Sequence, residues 1–382
     1  MKQEVPAMKT NTRSAIFPLS LCSYVVAMLL MAGLMGLLAA PVGAQDTTEQ
    51  HDLLEEAKDE YLFADYDRAI ELFSEIAYSD AYDSEMRIEA FRYLGRSHIA
   101  KDNEEEAREA MAALIELEPP IVELDADEEP PPLINIYYDV RSNVQGSYEV
   151  ERADPGLQTL AVMDFANNSI DDRDRFEGLS KGLPSMMINY MNGGVDLRVV
   201  ERERIQWLLN EIDLQSDASV VDQSTAVRTG ELLGVNAVVF GSFIVHEDDM
   251  RLMARVVEVE TGEIILGEEV TGEADAFFTL IEELSNKVSG SINVELDARD
   301  AEEPAGTQET NSLEAMLAYS EGLQRLESGD YQGAFDKFME ATTHDGDFAH
   351  AVRKAESLRP VLALSGSLRD EDMSLMLHPF ID

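Results

Sequence analysis

The feature that most constrains the fold of this 382-residue chain is the alternation of strand-like and helix-like segments between residues 157 and 296. Apolar runs typical of buried strands are separated by stretches whose apolar residues recur every three to four positions. One such helix face is carried by Ile205, Leu208, Leu209 and Ile212. The alternation predicts an α/β (α+β) central domain with a mixed sheet and helices packed on it.

A second amphipathic helix precedes this one. Its apolar stripe consists of Leu179, Leu183, Met186, Met187 and Tyr190. Pro184 lies either in its first turn or at a kink, and Gly193-Gly194 end the helix. A further long helix is predicted over residues 274–294.

A β-hairpin is predicted near residue 260, with a two-residue Thr261-Gly262 turn between its strands. Counting outward from this turn gives one apolar face that is buried. The predicted cross-strand pairs are Val259 with Ile264, Val257 with Leu266, and Arg255 with Glu268.

Four short motifs stand out in this region. They are Ala161-Val162-Met163-Asp164-Phe165 in the first strand, Arg198-Val199-Val200-Glu201-Arg202 between a strand and a helix, Gly234 through Gly241-Ser242, and Thr261-Gly262-Glu263-Ile264. In this order they resemble the CsgG/HfaB family of curli assembly and transport proteins. The resemblance implies a CsgG-like α/β domain over residues 157–296, association with the periplasm or outer membrane, and a homo-oligomeric ring as one form of assembly.

Residues 47–143 resemble tetratricopeptide repeats, with two predicted helix pairs. The first pair carries Leu53, Leu54, Ala57, Tyr61, Ala69, Phe73 and Ile76, and the second carries Phe91, Leu94, Gly95, Ala107, Met111 and Leu114. The two units stand further apart than the about 34 residues of this repeat, so an insertion is expected at residues 78–83. A helix over residues 133–141 is expected to cap them. These helices either form a groove for a protein partner or only pack.

An acidic, proline-rich linker is predicted at residues 118–132, and a second linker at 297–310. The acidic run Asp125–Glu129 fits a solvated linker better than a cation site. The acidic residues between Asp171 and Glu177 fail the calcium-loop pattern because Phe176 occupies a ligand position. They favour the start of a helix, where carboxylates are stabilising.

A third tetratricopeptide-like unit is predicted at residues 311–359. Its signature residues are Gly322, Gly329, Asp330, Tyr331, Ala334, Phe338 and Ala341. A further helix over residues 348–358 is expected to pack on it, and the tail at 360–382 is not assigned. We expect deletion of residues 312–357 to leave the central domain folded.

The first 44 residues are typical of a secretory signal peptide. Lys2, Lys9 and Arg13 precede an apolar run at 19–40, and Ala44 ends a cleavage motif. An uncleaved membrane anchor is the alternative. Cys22 is the only cysteine, and its position at the front of the run does not fit a lipid attachment site. Because Cys22 lies in the predicted signal peptide, the mature chain would contain no cysteine and therefore no disulfide or thiolate.

The net charge of −47 argues against binding nucleic acid or anionic lipid through the bulk surface. It also suits a high-salt habitat. No phosphate loop, nucleophile elbow or zinc-protease motif occurs in the sequence. The sequence therefore predicts no enzyme, and it identifies no catalytic, cofactor-binding or metal-binding residue and no cofactor.

Three functions remain open from the sequence. The favoured one is a non-enzymatic, exported scaffold or adaptor that binds protein partners of the cell envelope through its repeats. The second is a subunit of a curli-type secretion channel, and the third is an unrecognised periplasmic enzyme. No membrane-spanning barrel is predicted, because the short acidic stretch from His246 to Met250 between two strands cannot cross a bilayer and return.

Overall fold

The structure is a computed structural model that describes residues 42–117, 124–150, 157–192, 197–212, 222–292 and 310–365. The chain divides into two compact units, residues 1–55 and residues 56–382. The sheet and the helices packed on it belong to the second unit. Residues 1–41 of the predicted signal peptide, Gly193-Gly194, most of the linker at 297–310 and the tail after Ser365 lie outside the described residues. Within the described ranges, every helix is too short or too polar to span a bilayer.

A five-stranded mixed sheet forms the centre of the fold, as the sequence predicts. In chain order the strands are β1 (Gln158–Asn167), β2 (Leu197–Val199), β3 (Ala237–His246), β4 (Asp249–Glu258) and β5 (Ile264–Glu273). Their spatial order is β2-β1-β3-β4-β5. Strand β1 runs parallel to β2 and β3, whereas β3, β4 and β5 are antiparallel to their neighbours.

Helices come before the sheet, between its strands and after it in chain order. Before the sheet come α1 (Val42–Leu62), α2 (Tyr66–Ala77), α3 (Ser84–Ala100), α4 (Glu104–Glu116) and α5 (Pro131–Gln145). Within the α/β domain are α6 (Arg173–Phe176), α7 (Leu179–Met191), α8 (Arg202–Glu211), α9 (Gln223–Leu233) and, after a 3-10 turn at Ala274–Ala276, α10 (Phe277–Ser291). After it come α11 (Leu313–Glu327), α12 (Tyr331–His344), α13 (Ala349–Ser357) and α14 (Arg359–Ser365).

Each face of the sheet is covered by two helices of the α/β domain. Helices α7 and α10 pack on one face, and all five residues of the predicted α7 stripe are buried there. Helices α8 and α9 pack on the other, where Ile205 and Leu208 are buried. Pro184 lies inside α7, beyond its first turn. The predicted amphipathic helices are thus confirmed.

The predicted hairpin register is wrong. Val257 lies opposite Ile264, two positions from the predicted pairing, because the turn is longer than predicted. A bulge between Val256 and Val257 then shifts the pairing back by one residue, so that Arg255 lies opposite Gly267. The turn contains four residues rather than two, and the Gly262 N–H donates to the Glu258 C=O at 2.9 Å. Gly262 adopts φ +68°, a left-handed conformation that glycine enters without steric cost. Ile264 is 44 % exposed, so the buried face ends before the turn.

The predicted insertion and capping helix of the N-terminal repeats appear in the structure. A loop separates α2 from α3 at residues 78–83, and α5 packs on α4 over the predicted range. Gly95 of α3 faces Leu133 of α5, and a Cβ atom there would lie 2.8 Å from the Leu133 side chain. The helix pairs therefore fold as expected, while their membership of the tetratricopeptide class stays a prediction.

The helices of residues 311–359, where the sequence predicts a third repeat unit, also form a helical hairpin. Gly322 of α11 lets the ring of Phe338 approach, since a Cβ atom would lie 2.5 Å from its Cε1. Phe338 and Ala341 are fully buried. Helix α13 covers nearly all of the predicted 348–358 range, and α14 then packs on α3 of the N-terminal helices. The two helical segments are therefore in contact and are not independent repeats on either side of the sheet.

Candidate functional site

A cleft opens where three parts of the chain meet, which we name the N-terminal segment (residues 56–150), the α/β domain (157–292) and the C-terminal segment (310–365). Its volume is about 490 Å³. The N-terminal segment contributes the start of α5, the α/β domain contributes β1 and α8, and the C-terminal segment contributes the end of α11 and the start of α12. The residues of this cleft come from segments far apart in sequence.

Four ionisable side chains form the floor of the cleft. Arg202 Nε donates to Asp164 Oδ1 at 3.2 Å, and Lys181 Nζ donates to Asp164 Oδ2 at 3.0 Å. Both cations also pair with the carboxylate of Glu327, which reaches in from the end of α11. The floor therefore ties the α/β domain to the C-terminal segment by a closed network of two cations and two anions.

The position of these groups follows from the chain's local structure. Strand β2 ends at Val199, and Arg202 is the first residue of α8, so this arginine is held beside β1 where Asp164 lies. Burial alone would raise the pKa of Asp164, but the positive charges of Arg202 and Lys181 outweigh it and hold that pKa below its usual range. Burial opposes the charge of Arg202, yet its anionic neighbours raise its pKa further.

A second charged cluster lies around Lys354 of α13, whose side chain is 2 % exposed. Lys354 Nζ donates to Glu203 Oε1 at 2.6 Å and to the Ala126 C=O at 2.9 Å, and it lies 3.1 Å from Asp127 Oδ1. His350 Nδ1 lies 2.6 Å from Asp127 Oδ2. Despite its burial, the pKa of Asp127 is lowered by these cationic partners. This cluster joins all three segments at one point.

Glu201 lies beside this cluster, and its pKa is shifted in the opposite direction to that of Asp127. Its burial, followed by the nearby carboxylates of Glu203, Asp127 and Asp125, raises its pKa to about 8. The attraction of Lys354 offsets only part of this effect. Two glutamates two residues apart therefore differ, since Glu203 is paired with a cation while Glu201 is held among anions.

The acidic run at residues 125–129 is folded into the protein, so the prediction of a solvated linker is wrong for this part. Glu129 is fully buried, and it accepts from Arg92 Nε at 2.6 Å and Arg96 Nε at 2.7 Å. Its pKa stays low because the two arginines outweigh the effect of burial. Residues 118–123 lie outside the described ranges.

The walls of the cleft are partly open and carry both apolar and polar side chains, the polar ones including Asn135, Gln206 and Gln324. One apolar side chain comes from each of several elements: Ile134 of α5, Met163 of β1, Leu209 of α8, Leu326 of α11 and Tyr331 of α12. Leu209, Leu326 and Tyr331 are only half-buried. Trp207 fixes α8 to the N-terminal segment, because its Nε1 donates to Asp139 Oδ1 at 2.9 Å. The cleft thus combines a neutralised charged floor with walls of mixed polarity on three segments.

The sequence pattern marks none of these residues as a site. Asp164 and Arg202 belong to two of the short motifs of the central region, and they pair at the floor of the cleft. Lys354 stands on the apolar stripe formed by Ala351, Ala355 and Leu358, and a cation at such a position signals a buried partner. The expected helix start after β1 is confirmed, since α6 begins at Arg173 directly after Asp172. Among the described residues, no group of His, Cys, Asp and Glu could hold a metal ion.

Comparison with known proteins gives one family match. The family model for the curli production assembly/transport component CsgG matches residues 150–253. These residues include the Asp164–Arg202 pair and strands β1 to β3. The CsgG resemblance of the central region is thereby confirmed over this range, while the helical segments lie outside the match. A comparison with curated proteins found no match.

Solved structures resemble short parts of the chain. The LpoB C-terminal domain from Escherichia coli has 16% identity and a TM-score of 0.24, covering 39% of this chain and 99% of that one. The lipoprotein GNA1162 from Neisseria meningitidis has 13% identity and a TM-score of 0.26, covering 35% and 98%. TolB from Acinetobacter baumannii has 12% identity and a TM-score of 0.25, covering 38% of this chain and 30% of that one. Likenesses of this size carry no argument about function.

Proposed function

We propose that this chain is a non-enzymatic scaffold or adaptor of the cell envelope and that its cleft binds a protein partner. The observation that carries the proposal is that every charged side chain lining the cleft has an oppositely charged partner in one of the two clusters described above. These side chains are Asp164, Lys181, Arg202, Glu203, Glu327 and Lys354. A general base or an activated nucleophile needs a group free to exchange protons with a substrate, and ion pairs of this kind restrain such exchange.

The apolar side chains of the walls supply what a partner-binding surface needs. Partly open apolar side chains from the α/β domain and the C-terminal segment lie beside a floor whose charges are already matched, so an apolar partner segment can enter without leaving a charge unpaired. Leu209, Leu326 and Tyr331 are the half-buried apolar side chains that provide contact area. The tetratricopeptide-like helices support this role by building two of the three walls.

The location in the cell envelope rests on two observations. The family match over residues 150–253 is to a curli assembly and transport component, and the first 44 residues have the composition of a secretory signal peptide. We therefore place the chain in the periplasm, associated with the outer membrane. A homo-oligomeric ring through the α/β domain belongs to the same proposal.

Fractionation of cells that express the full chain, followed by cross-linking and pull-down, tests this function. We expect the protein in the periplasmic or outer-membrane fraction with a reproducible set of cross-linked partners. The variant Leu326→Asp, which places a charge on the cleft wall, should lose those partners. Ile264→Asp, an exposed apolar position on the hairpin, is the matched control and should keep them. A cytoplasmic location, or partners that both variants retain, would contradict the proposal.

A subunit of a curli-type secretion channel is the second candidate, because the family match names a transport component. The connection between β3 and β4 argues against it. Only Glu247 and Asp248 join these strands, and β5 passes directly into the turn before α10. The described hairpins therefore contain no extra length for a pore-forming excursion.

A further inference from the structure

We propose that the outer edge of β5 binds an extended, basic segment of a partner protein, which adds to the sheet as a further strand. Strand β5 (Ile264–Glu273) is the last in the order β2-β1-β3-β4-β5. An edge strand of ten residues presents a row of backbone N–H and C=O groups with which another chain can pair. The cleft is lined by other elements of the fold, so this surface is tested separately from the proposed function.

The register with β4 determines which backbone groups of β5 point outward. The N–H of Ala274 donates to the Asp248 C=O at 2.7 Å, in continuation of the β4–β5 pairing. In an antiparallel pair, residues that exchange hydrogen bonds with the neighbouring strand alternate with residues whose N–H and C=O point away from it. The even-numbered residues from 266 to 274 therefore bond to β4. The outward-pointing residues, which we name the edge residues, are all exposed and are Gly267, Glu269, Thr271 and Glu273.

The side chains of the edge residues lie on the face of the sheet opposite α10. Val270 is buried in the core that contains α10, and Glu268 pairs with Lys287 of that helix at 3.3 Å. Successive side chains of a strand point to opposite faces, so the odd-numbered residues face away from α10. In agreement, Glu269 forms an exposed pair with Arg251 of β4 at 3.3 Å. A strand added at this edge would present every second side chain to the same open face.

A groove of about 480 Å³ lies on this face beside the edge. Phe240, Met253 and Arg255 contribute side chains to its lining, and Gly267 lies at its rim. Phe240 pairs with Arg255, and Arg255 pairs with Gly267, so these three residues form one row across β3, β4 and β5. The groove therefore reaches the edge of the sheet at Gly267.

Gly267 leaves the groove open towards a neighbouring strand. A Cβ atom added at Gly267 would meet no atom within 4 Å, and the backbone there is not left-handed, so the fold itself does not require glycine. Glycine inside a strand weakens that strand and often marks a place where another backbone approaches closely. An aromatic side chain opposite Gly267 can cross it and lie between Phe240 and the guanidinium of Arg255. The partner segment is therefore expected to carry an aromatic residue at this position.

The charges along the edge favour a basic partner over a second copy of this chain. Opposite charges directly across two strands stabilise their pairing, and like charges destabilise it. Two β5 edges that pair antiparallel about Glu269 or Thr271 place glutamate opposite glutamate, and each copy carries a net charge of −47. Lysine or arginine opposite Glu269 and Glu273 gives the favourable pairs. An antiparallel partner strand then has basic residues at positions 1 and 5 and an aromatic residue at position 7.

A labelled peptide of sequence Lys-Thr-Val-Thr-Lys-Thr-Phe, blocked at both ends, is the probe for this edge. It is titrated into the full chain at about 0.15 M salt, with fluorescence anisotropy as the readout, and we expect saturable binding. Methylation of the amide nitrogens of positions 3 and 5, which face β5 in the added strand, should weaken binding by at least about tenfold. Methylation at positions 4 and 6 should leave binding unchanged. The two methylated peptides have the same charge, so attraction by charge alone gives no difference between them.

Variants of the edge provide a second measurement. Glu269→Lys/Glu273→Lys should weaken binding of the probe by at least about tenfold, whereas Glu105→Lys/Glu109→Lys on the exposed side of α4 changes the net charge equally and should not. Gly267→Thr should weaken binding of the probe by at least about fivefold, because its side chain closes the rim of the groove. The same variant should leave unchanged the binding of a probe with alanine in place of phenylalanine.

Three results would overturn the proposal: no saturable binding, equal weakening by the two methylation patterns, or equal weakening by the two charge variants. Self-association of the full chain that the probe reverses in sedimentation would also overturn it, because the edge would then pair with a second copy. Thermal melts establish whether each variant is folded. The comparison of the methylated peptides uses the unaltered chain, so it decides the matter even if a variant does not fold.

Discussion

Lys354 Nζ lies 2.6 Å from Glu203 Oε1, so a cation of the C-terminal segment is buried against the first turn of a helix in the α/β domain. The same ammonium group also donates to the Ala126 C=O and pairs with Asp127, and its side chain is only 2 % exposed. These contacts fix Ala126 and Asp127, which the sequence assigns to a solvated linker, against the C-terminal segment. The C-terminal segment is therefore joined to the α/β domain through buried contacts, and deletion of residues 312–357 should destabilise that domain.

Replacement of Lys354 tests this junction. Lys354→Met removes the cation and leaves Glu203 and Asp127 without their main partner, so we expect the free energy of unfolding to fall by about 3 kcal/mol. Lys337→Met is the matched control, since Lys337 forms surface pairs with Glu321 and Glu340 and should cost less than about 1 kcal/mol. Urea denaturation measures both values. An equal fall in the free energy of unfolding for both variants would show that the Lys354 cluster does not hold the segments together.

Glu201 and Glu203 should respond oppositely to neutralisation. The pKa of Glu201 is raised to about 8, so its contribution to stability is present below the unfolded-state pKa near 4.5 and is lost as pH rises towards 8. Glu201→Gln should therefore stabilise the protein at pH 8 by about 1–3 kcal/mol and have little effect near pH 4.5. Glu203→Gln removes the partner of Lys354 and should destabilise it at pH 8. Urea denaturation midpoints at pH 4.5 and pH 8 measure both variants. If both variants stabilised the protein at pH 8, or both destabilised it, the raised pKa of Glu201 would be contradicted.

The lowered pKa values predict a loss of stability in acid. Asp127, Asp164 and Glu129 contribute stability above their ordinary pKa near 4, and that stability is lost as pH falls towards their lower folded values. We expect a melting temperature that falls steeply below about pH 4. Asp164→Asn should flatten this part of the pH profile, whereas the exposed Asp80→Asn should not, since Asp80 makes only a surface pair with Arg87. Parallel profiles for both variants would exclude the floor network as the cause.

The crossing of α7 and α11 depends on Gly182. A Cβ atom there would lie 1.9 Å from Ser320 Oγ, so Gly182→Ala should destabilise the protein by about 1–3 kcal/mol although alanine is the better helix former. Ser320→Ala in the same chain should restore part of the loss. Gly290→Ala is the control, because nothing lies within 4 Å of its added Cβ, and it should stabilise α10 by up to about 1 kcal/mol. Thermal melts compare the three, and a neutral Gly182→Ala would mean that the two helices separate readily.

The sequence predicted the elements whose signal is local. The apolar stripe of α7 and the residues Phe338 and Ala341 of α12 could be read from helical periodicity, and their burial is as expected. The predicted hairpin register was wrong because the turn contains four residues instead of two, and a bulge between Val256 and Val257 then shifts the pairing again. Glu129 was assigned to a solvated linker because its partners, Arg92 and Arg96, lie on a helix more than thirty residues earlier. Sites built from distant charges leave little trace in a local pattern.

A bilayer measurement separates the adaptor from the secretion channel. Because only Glu247 and Asp248 connect β3 to β4, we expect purified protein to show no discrete conductance in planar bilayers and to remain in solution without detergent. The channel-forming proteins used as positive controls should conduct under the same conditions. Discrete conductance steps, or a strict need for detergent, would favour the secretion-channel subunit.

Site-specific photo-crosslinking in the cell tests the central claim most directly. A photoreactive residue at Leu326 on the cleft wall of the full chain should give covalent adducts with another envelope protein. The same residue at Ile264 on the hairpin should give none of these adducts. The account predicts adducts that depend on the cleft position, and it is contradicted if Leu326 gives no adduct or if both positions give the same ones.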